Sequence, residues 1–92
     1  GPKSMSAVWV HFGGVEQPGV AVLALLSLPG PVLLADRPHL GVIVPTAPVP
    51  VGGGLLFVPA DWVRPADVGM EALTSIYVSM GVTAREHLPR PH

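Results

Sequence analysis

Four histidines are the first candidates for chemistry, because a neutral imidazole can bind a metal ion or transfer a proton. They are His11, His39, His87 and His92. None of them forms the i,i+4 pair or the His-x-His pair that holds a metal locally, and the chain has no cysteine. A metal site would need the fold to bring His11 and His39 together. The simpler expectation is that no metal binds, with His11 on the exposed side of a strand and the others in loops.

Carboxylates and serines offer the other routes to catalysis. Asp61 and Asp67 could converge as a general acid and base, and Ser27, His39 and Asp36 could form a hydrolytic triad. No serine lies in the Gly-x-Ser-x-Gly turn that exposes such a nucleophile. Asp67 is better explained as a helix cap. We therefore expect a protein that is not an enzyme, with no catalytic residue and no cofactor.

The composition limits the kind of domain that could position these residues. Of 92 residues, 49% are hydrophobic and 12% are charged, and the formal net charge is −1. This length suits one domain, and the charge lacks the basic excess with which proteins bind nucleic acids. We expect a tag remnant over residues 1–4, a single domain over 5–84 and a flexible tail over 85–92. The most apolar stretch, residues 19–35, contains two prolines and is too short to span a membrane.

Short apolar segments separated by prolines and glycines predict β-strands. The predicted strands cover residues 7–12, 19–28, 32–35, 40–44 and 55–58. The second is a continuous apolar run that is also compatible with a helix, because periodicity does not distinguish a buried strand from a buried helix. Pro29-Gly30-Pro31 indicates a turn, and glycines 52–54 indicate a flexible loop. Together these signals predict a small, curved, mostly antiparallel sheet of about five short strands.

One region has helical periodicity. Apolar residues recur there at three- and four-residue spacing, and they are Met70, Leu73, Ile76, Tyr77 and Met80. This pattern predicts one C-terminal helix over about 67–80, with Asp67 capping its first turn and Gly81 in the left-handed position after its last turn. The sequence therefore predicts an α+β domain in which one helix lies on a curved sheet.

A small chain with so few charges should leave an apolar patch exposed, and such a patch favours a binding partner. The prolines of the 44–50 segment could present a polyproline II face, although a rigid crossover between strands explains them better. Arg64 near Trp62 could make a cation–π contact or an interaction face, or Trp62 could lie at the rim of the core. The candidate interaction surface comprises Pro45, Pro48, Pro50, Phe57, Trp62 and Arg64.

Prolines, glycines and helix residues between Val44 and Val82 also follow a recognisable order. The residues that carry it are Val44, Pro45, Thr46, Pro48, Pro50, Gly53, Leu55, Leu56, Phe57, Val58, Pro59, Pro65, Asp67, Glu71, Ser79, Gly81 and Val82. In this segment the chain resembles the soluble part of the Continuous Vascular Ring-like (COV-like) membrane-protein family, which has no established biochemical function. Ala47, Val49, Val51 and Gly52 depart from the polar residues of the family pattern, and Gly69 and Ala72 depart from its capping box.

The resemblance implies a parent membrane protein with about two transmembrane helices ahead of this domain, and the family offers no activity, cofactor or catalytic residue that could be carried over. From the exposed apolar patch, we expect a domain that associates with itself or with another membrane-associated protein. The membrane attachment would lie in segments outside this chain, and we expect no nucleic-acid partner. The alternative is a module that binds an apolar small ligand or a lipid in a pocket near Trp62 and Tyr77.

Overall fold

The computed structural model describes residues 5–17 and 19–91, so the expected tag remnant at 1–4 lies outside the described residues. Within them the chain forms six strands, one turn of 3-10 helix and two α-helices. The strands are β1 (Ala7–His11), β2 (Ala21–Leu26), β3 (Val32–Leu34), β4 (Arg37–Pro45), β5 (Gly53–Pro59) and β6 (Val63–Pro65). The 3-10 turn spans Ala60–Trp62, and the helices are α1 (Met70–Val78) and α2 (Ala84–His87).

All strand pairs are antiparallel, and the sheet runs in the order β6, β1, β2, β4, β5. His39 of β4 pairs with both Val32 of β3 and Pro59 of β5, so β3 and β5 lie on opposite sides of β4. Strand β3 therefore lies on the same side of β4 as β2. Strands β5 and β6 lie at opposite edges of this order but are separated in the chain only by the 3-10 turn. The sheet must therefore curl until its two edges approach each other.

Both faces of the curled sheet are apolar. Successive side chains of each strand point to alternate faces, and both sets include apolar residues. The inner face holds a core of buried residues together with the half-buried Trp62: Val8, Val10, Ala24, Leu26, Val42, Val58 and Val63. The outer face holds a second core formed by Ala7, Leu23 and Leu25 of the sheet and Leu73 of α1. The predicted α+β arrangement, a helix on a curled antiparallel sheet, is confirmed, and the apolar run 19–28 contains a strand.

Helix α1 is shorter than the predicted 67–80, and the expectation that Asp67 caps it is wrong. The N-cap is Gly69, which offers no side chain for a capping hydrogen bond, because the helix begins only at Met70. At the other end, Gly81 N–H donates to the Ile76 carbonyl at 2.8 Å and Met80 N–H donates to the Tyr77 carbonyl at 3.0 Å. Both Met80 (φ 53°) and Gly81 (φ 91°) have positive φ, so the left-handed ending is present but begins one residue before the glycine.

The proline segment is a hairpin loop and not a crossover, which corrects the sequence interpretation. Residues 46–52 connect the paired strands β4 and β5, and Thr46 closes the loop by donating its N–H to the Gly52 carbonyl at 3.0 Å and its hydroxyl to the Val49 carbonyl. Glycines 53 and 54, expected in a flexible loop, belong to β5. Pro45 fits the sheet because the alternation of antiparallel bonds directs the nitrogen of Thr46, and not that of Pro45, at β5.

Part of the segment expected as a flexible tail, 85–92, is helical, and residue 92 lies outside the described residues. Residues Ala84–His87 form α2, and Leu88 N–H donates to the Ala84 carbonyl at 2.9 Å. The Thr83 hydroxyl lies 2.8 Å from the Ser75 hydroxyl and 3.1 Å from that of Ser79, which ties the start of α2 to α1. None of the helices among the described residues is long and apolar enough to cross a membrane.

Candidate functional site

Strand β5 exposes three consecutive large apolar residues. Leu55, Leu56 and Phe57 have exposed fractions of 59%, 41% and 45%. Neighbours in a strand point to opposite faces, so both faces of β5 carry uncovered apolar surface. A strand that only sealed the core would bury every second residue, as β1 does at Val8 and Val10. Exposure on both faces marks β5 as the candidate functional site of the described chain.

The backbone of β5 is open on the side away from β4. The bond from Thr46 N–H to the Gly52 carbonyl shows that Gly52 directs its backbone groups at β4. Because antiparallel pairs alternate, Gly54, Leu56 and Val58 also direct their backbone groups at β4. The N–H and C=O groups of Gly53, Leu55 and Phe57 therefore point away from the sheet. Strand β5 forms the edge of the sheet order, where these groups can accept another strand.

Coverage by α1 ends just before β5. Ile43 of β4 packs against the outer core beneath α1, together with Ile76 and Tyr77. Its cross-strand partner is Leu55, which lies on the same face and is exposed. The outer face of the sheet therefore continues past the helix as uncovered apolar surface.

The Phe57 ring lies next to a glycine of the neighbouring strand. It pairs with Gly41, and a Cβ atom built on Gly41 would lie 3.2 Å from the Phe57 ring and 2.5 Å from the Ser27 hydroxyl oxygen. The absence of a side chain at Gly41 thus lets the Phe57 ring lie over the β4 backbone. The ring remains nearly half exposed, with an exposed fraction of 45% for Phe57.

No formal charge interrupts this surface. Residues 38–60 contain no Asp, Glu, Lys or Arg. The charges on either side of this segment, Arg37 and Asp61, pair with each other at 3.2 Å on the surface. An exposed pair of this kind contributes little to stability. The pair does place the positive charge of Arg37 next to the negative charge of Asp61, so the two charges that flank the uncharged segment 38–60 offset each other. This segment includes all of β5.

The residues expected to form the interaction surface are only partly brought together. Phe57 lies on exposed β5, but Pro45 is buried at the end of β4, and Pro48 is exposed in the hairpin loop with Pro50 half-buried. Leu55 and Leu56 belong to the surface although sequence reasoning did not select them. The sequence marks this segment only as an uncharged apolar run without alternation, bounded by glycine and proline. A buried strand has the same pattern, so the pattern does not predict exposure.

Trp62 and Arg64 lie outside β5, in the 3-10 turn and in β6. The Trp62 ring packs against the inner core and contacts Phe12, with ring centroids 5.8 Å apart. Arg64 is exposed and lines a polar hollow of about 460 Å³ between the loop that follows β1 and the 3-10 turn. Glu16 and Asp61 line the same hollow, so charges of both signs meet there and no single ligand charge is favoured.

The pocket expected near Trp62 and Tyr77 does not bring those two residues together. Trp62 belongs to the inner core and Tyr77 to the outer core, with the sheet between them. The Tyr77 hydroxyl donates to the Leu23 carbonyl, which pins α1 to β2. Burial raises the pKa of the Tyr77 hydroxyl above its usual range, since the phenolate would lose hydration there. We therefore assign Tyr77 a packing role.

The ionisable residues that could do chemistry stay apart. Within residues 5–17 and 19–91, no group of three or more His, Asp or Glu residues is arranged to hold a metal ion. The His39 ring lies 2.8 Å from the Arg37 carbonyl, a local contact two residues away. Asp61 pairs with Arg37, and Asp67 lies on the segment between β6 and α1.

Comparison with known proteins adds no assignment to this geometry. No protein-family model, no curated protein and no solved structure matches the chain.

Proposed function

We propose that this chain is a non-enzymatic interaction domain that associates with itself through β5. The observation that carries the proposal is the exposure of Leu55, Leu56 and Phe57 on an edge strand with an open backbone. Burying apolar surface gives about 25 cal/mol per Å², and an open strand edge adds directional hydrogen bonds. A partner that covers this strand gains from both.

The expected association is weak. An interface built on one strand and a few side chains falls at the small end of specific interfaces, below about 1,200 Å² in total. We therefore expect a dimer that dissociates on dilution, with a dissociation constant between about 10 μM and 1 mM. Attachment of the domain to a parent membrane protein would raise the local concentration and favour pairing. That attachment is itself a proposal, supported by the sequence resemblance.

Replacing Leu55 with lysine tests the proposal. A lysine at this exposed position leaves both cores intact but places a charge where apolar surface must be buried, so Leu55→Lys is expected to raise the dissociation constant at least about tenfold. The measurement is sedimentation equilibrium of the chain between about 10 μM and 1 mM, with circular dichroism to confirm folding.

The matched control is Leu33→Lys. Leu33 is also an exposed leucine in a strand, but β3 is separated from β5 by β4. This variant should keep the dissociation constant of the unmodified chain within about twofold, because surface substitutions outside an interface are usually close to neutral. A strictly monomeric unmodified chain at 1 mM would overturn the proposal, as would equal weakening by both variants.

A further inference from the structure

We infer that β5 pairs antiparallel with β5 of a second copy about a two-fold axis that passes between the two copies of Leu56, which joins two curled sheets into one. The inference rests on the proposed self-association and specifies its geometry: which backbone groups bond and which side chains meet.

Charge favours a second copy as the occupant of this edge. In a two-fold interface every group near the axis meets its own copy, so any charge there meets its like. Residues 38–60 carry no formal charge, and the net charge of the whole chain is only −1. The surface around β5 can therefore meet itself without like-charge repulsion. A partner recognised through complementary charges would have nothing to bind on this strand.

The other strands at the edges of the sheet, β6 and β3, are less suited to pairing with a second copy. Strand β6 has three residues, ends at Pro65 and carries the charge of Arg64, and β3 also has only three residues. Short strands, prolines and charges are the usual protections of a sheet edge. Strand β5 has seven residues, with its single proline at the last position. It is the long, uncharged and unprotected edge among the described residues.

The symmetry limits the register. A two-fold axis normal to the sheet passes midway between the two strands, so that one residue lies opposite its own copy and the residues on either side of it lie opposite each other's copies. Centred on Leu56, the pair uses the whole span Gly53–Pro59. Leu55 and Phe57, whose backbone groups point outward, then lie opposite one another and exchange both hydrogen bonds. With a bond from each Gly53 N–H to the opposite Pro59 carbonyl, this register gives about six backbone hydrogen bonds.

Side chains distinguish this register from its nearest rival. A pair centred on Leu55 offers a similar number of backbone bonds, but it places Phe57 opposite Gly53 and Leu56 opposite Gly54. The pair centred on Leu56 places Leu55 against Phe57 twice on the outer face and Leu56 against its own copy on the other. Apolar and aromatic cross-strand pairs contribute roughly 0.2–1 kcal/mol each, and glycine contributes none. The register centred on Leu56 therefore buries more apolar surface.

The absence of cysteine from the sequence allows a direct test. In the inferred register Leu56 lies opposite its own copy in a non-hydrogen-bonded pair, where Cα atoms are about 4.5 Å apart, within the range of about 4.4–6.8 Å that a disulfide spans. Leu56→Cys, oxidised with oxidised glutathione at a concentration where about half of the chains are paired, should form a covalent dimer. Non-reducing gel electrophoresis and mass spectrometry measure the yield.

Leu55→Cys is the matched control. In the inferred register this position faces Phe57 of the other copy, so the two introduced thiols lie on residues about 7–8 Å apart and cross-link poorly. We expect at least a fivefold higher yield for Leu56→Cys. Equal yields, or a higher yield for Leu55→Cys, would overturn the register. If both variants gave a low yield of covalent dimer but still dimerised in the reduced state, pairing through β5 would be overturned and self-association would stand. A monomeric unmodified chain would overturn both proposals.

Discussion

Leu73→Ala is expected to lower the free energy of unfolding by about 3 kcal/mol. Leu73 is the one residue of α1 that is fully buried, with an exposed fraction of 1%. It packs with Leu23 and Leu25 on the outer face of the sheet. Alanine would remove three carbon atoms from this contact and leave a cavity. In a chain of this length the loss is a large part of the total stability.

Urea denaturation followed by circular dichroism measures this loss. The control is Thr74→Ala, the next residue on α1, which is exposed. It should change the free energy of unfolding by less than about 0.5 kcal/mol, because alanine keeps the helix favourable and the residue contacts no core. A Leu73→Ala loss below about 1 kcal/mol would show that α1 is not packed on the sheet as described.

The second large effect on stability is expected at Gly53. Its Cβ position would collide with the Val44 carbonyl oxygen and lie 3.1 Å from the Val44 carbonyl carbon and 3.2 Å from Pro45 Cα. These are backbone atoms of the paired strand, and they cannot rotate away as a side chain could. Gly53→Ala should therefore displace the start of β5 and lower the free energy of unfolding by about 2 kcal/mol.

Gly54→Ala is the matched control for this substitution. The adjacent glycine has nothing within 4 Å of its Cβ position, and neither glycine has positive φ. Gly54→Ala should be neutral or slightly stabilising, by up to about 0.5 kcal/mol, because alanine restricts the unfolded chain. Thermal denaturation of both variants measures the difference. Equal losses at the two positions would mean that the close approach of β4 and β5 at Gly53 is absent.

Periodicity and turn residues were sufficient to predict the class of fold. The spacing of Leu73, Ile76 and Tyr77 predicted a helix with one apolar face, and that face packs on the sheet. The helix boundary was less predictable. Asp67 had the right chemistry for a cap, but the helix starts at Met70, beyond the reach of a cap at 67. Cap preferences rank residue types but do not fix where the first turn begins.

The candidate site could not be located from the sequence because exposure depends on how far another element extends. Leu55 to Val58 is apolar without alternation, which predicted a strand but not which of its faces is covered. Only the fold shows that α1 covers Ile43 and stops before Leu55. Pro45 shows the converse error. Its proline type predicts a surface residue, but Pro45 is buried at a strand position where no backbone N–H is required to bond to β5.

Amide hydrogen exchange at β5 tests the central claim most directly. In the dilute monomer the outward N–H groups of Leu55 and Phe57 should exchange at the rate of an open strand edge, while those of Leu56 and Val58, directed at β4, should be protected. As concentration rises from about 10 μM to 1 mM, exchange at Leu55 and Phe57 should slow in proportion to the remaining monomer fraction, with Leu56 and Val58 unchanged. Exchange at Leu55 and Phe57 that is independent of concentration, while the mass doubles, would contradict the account.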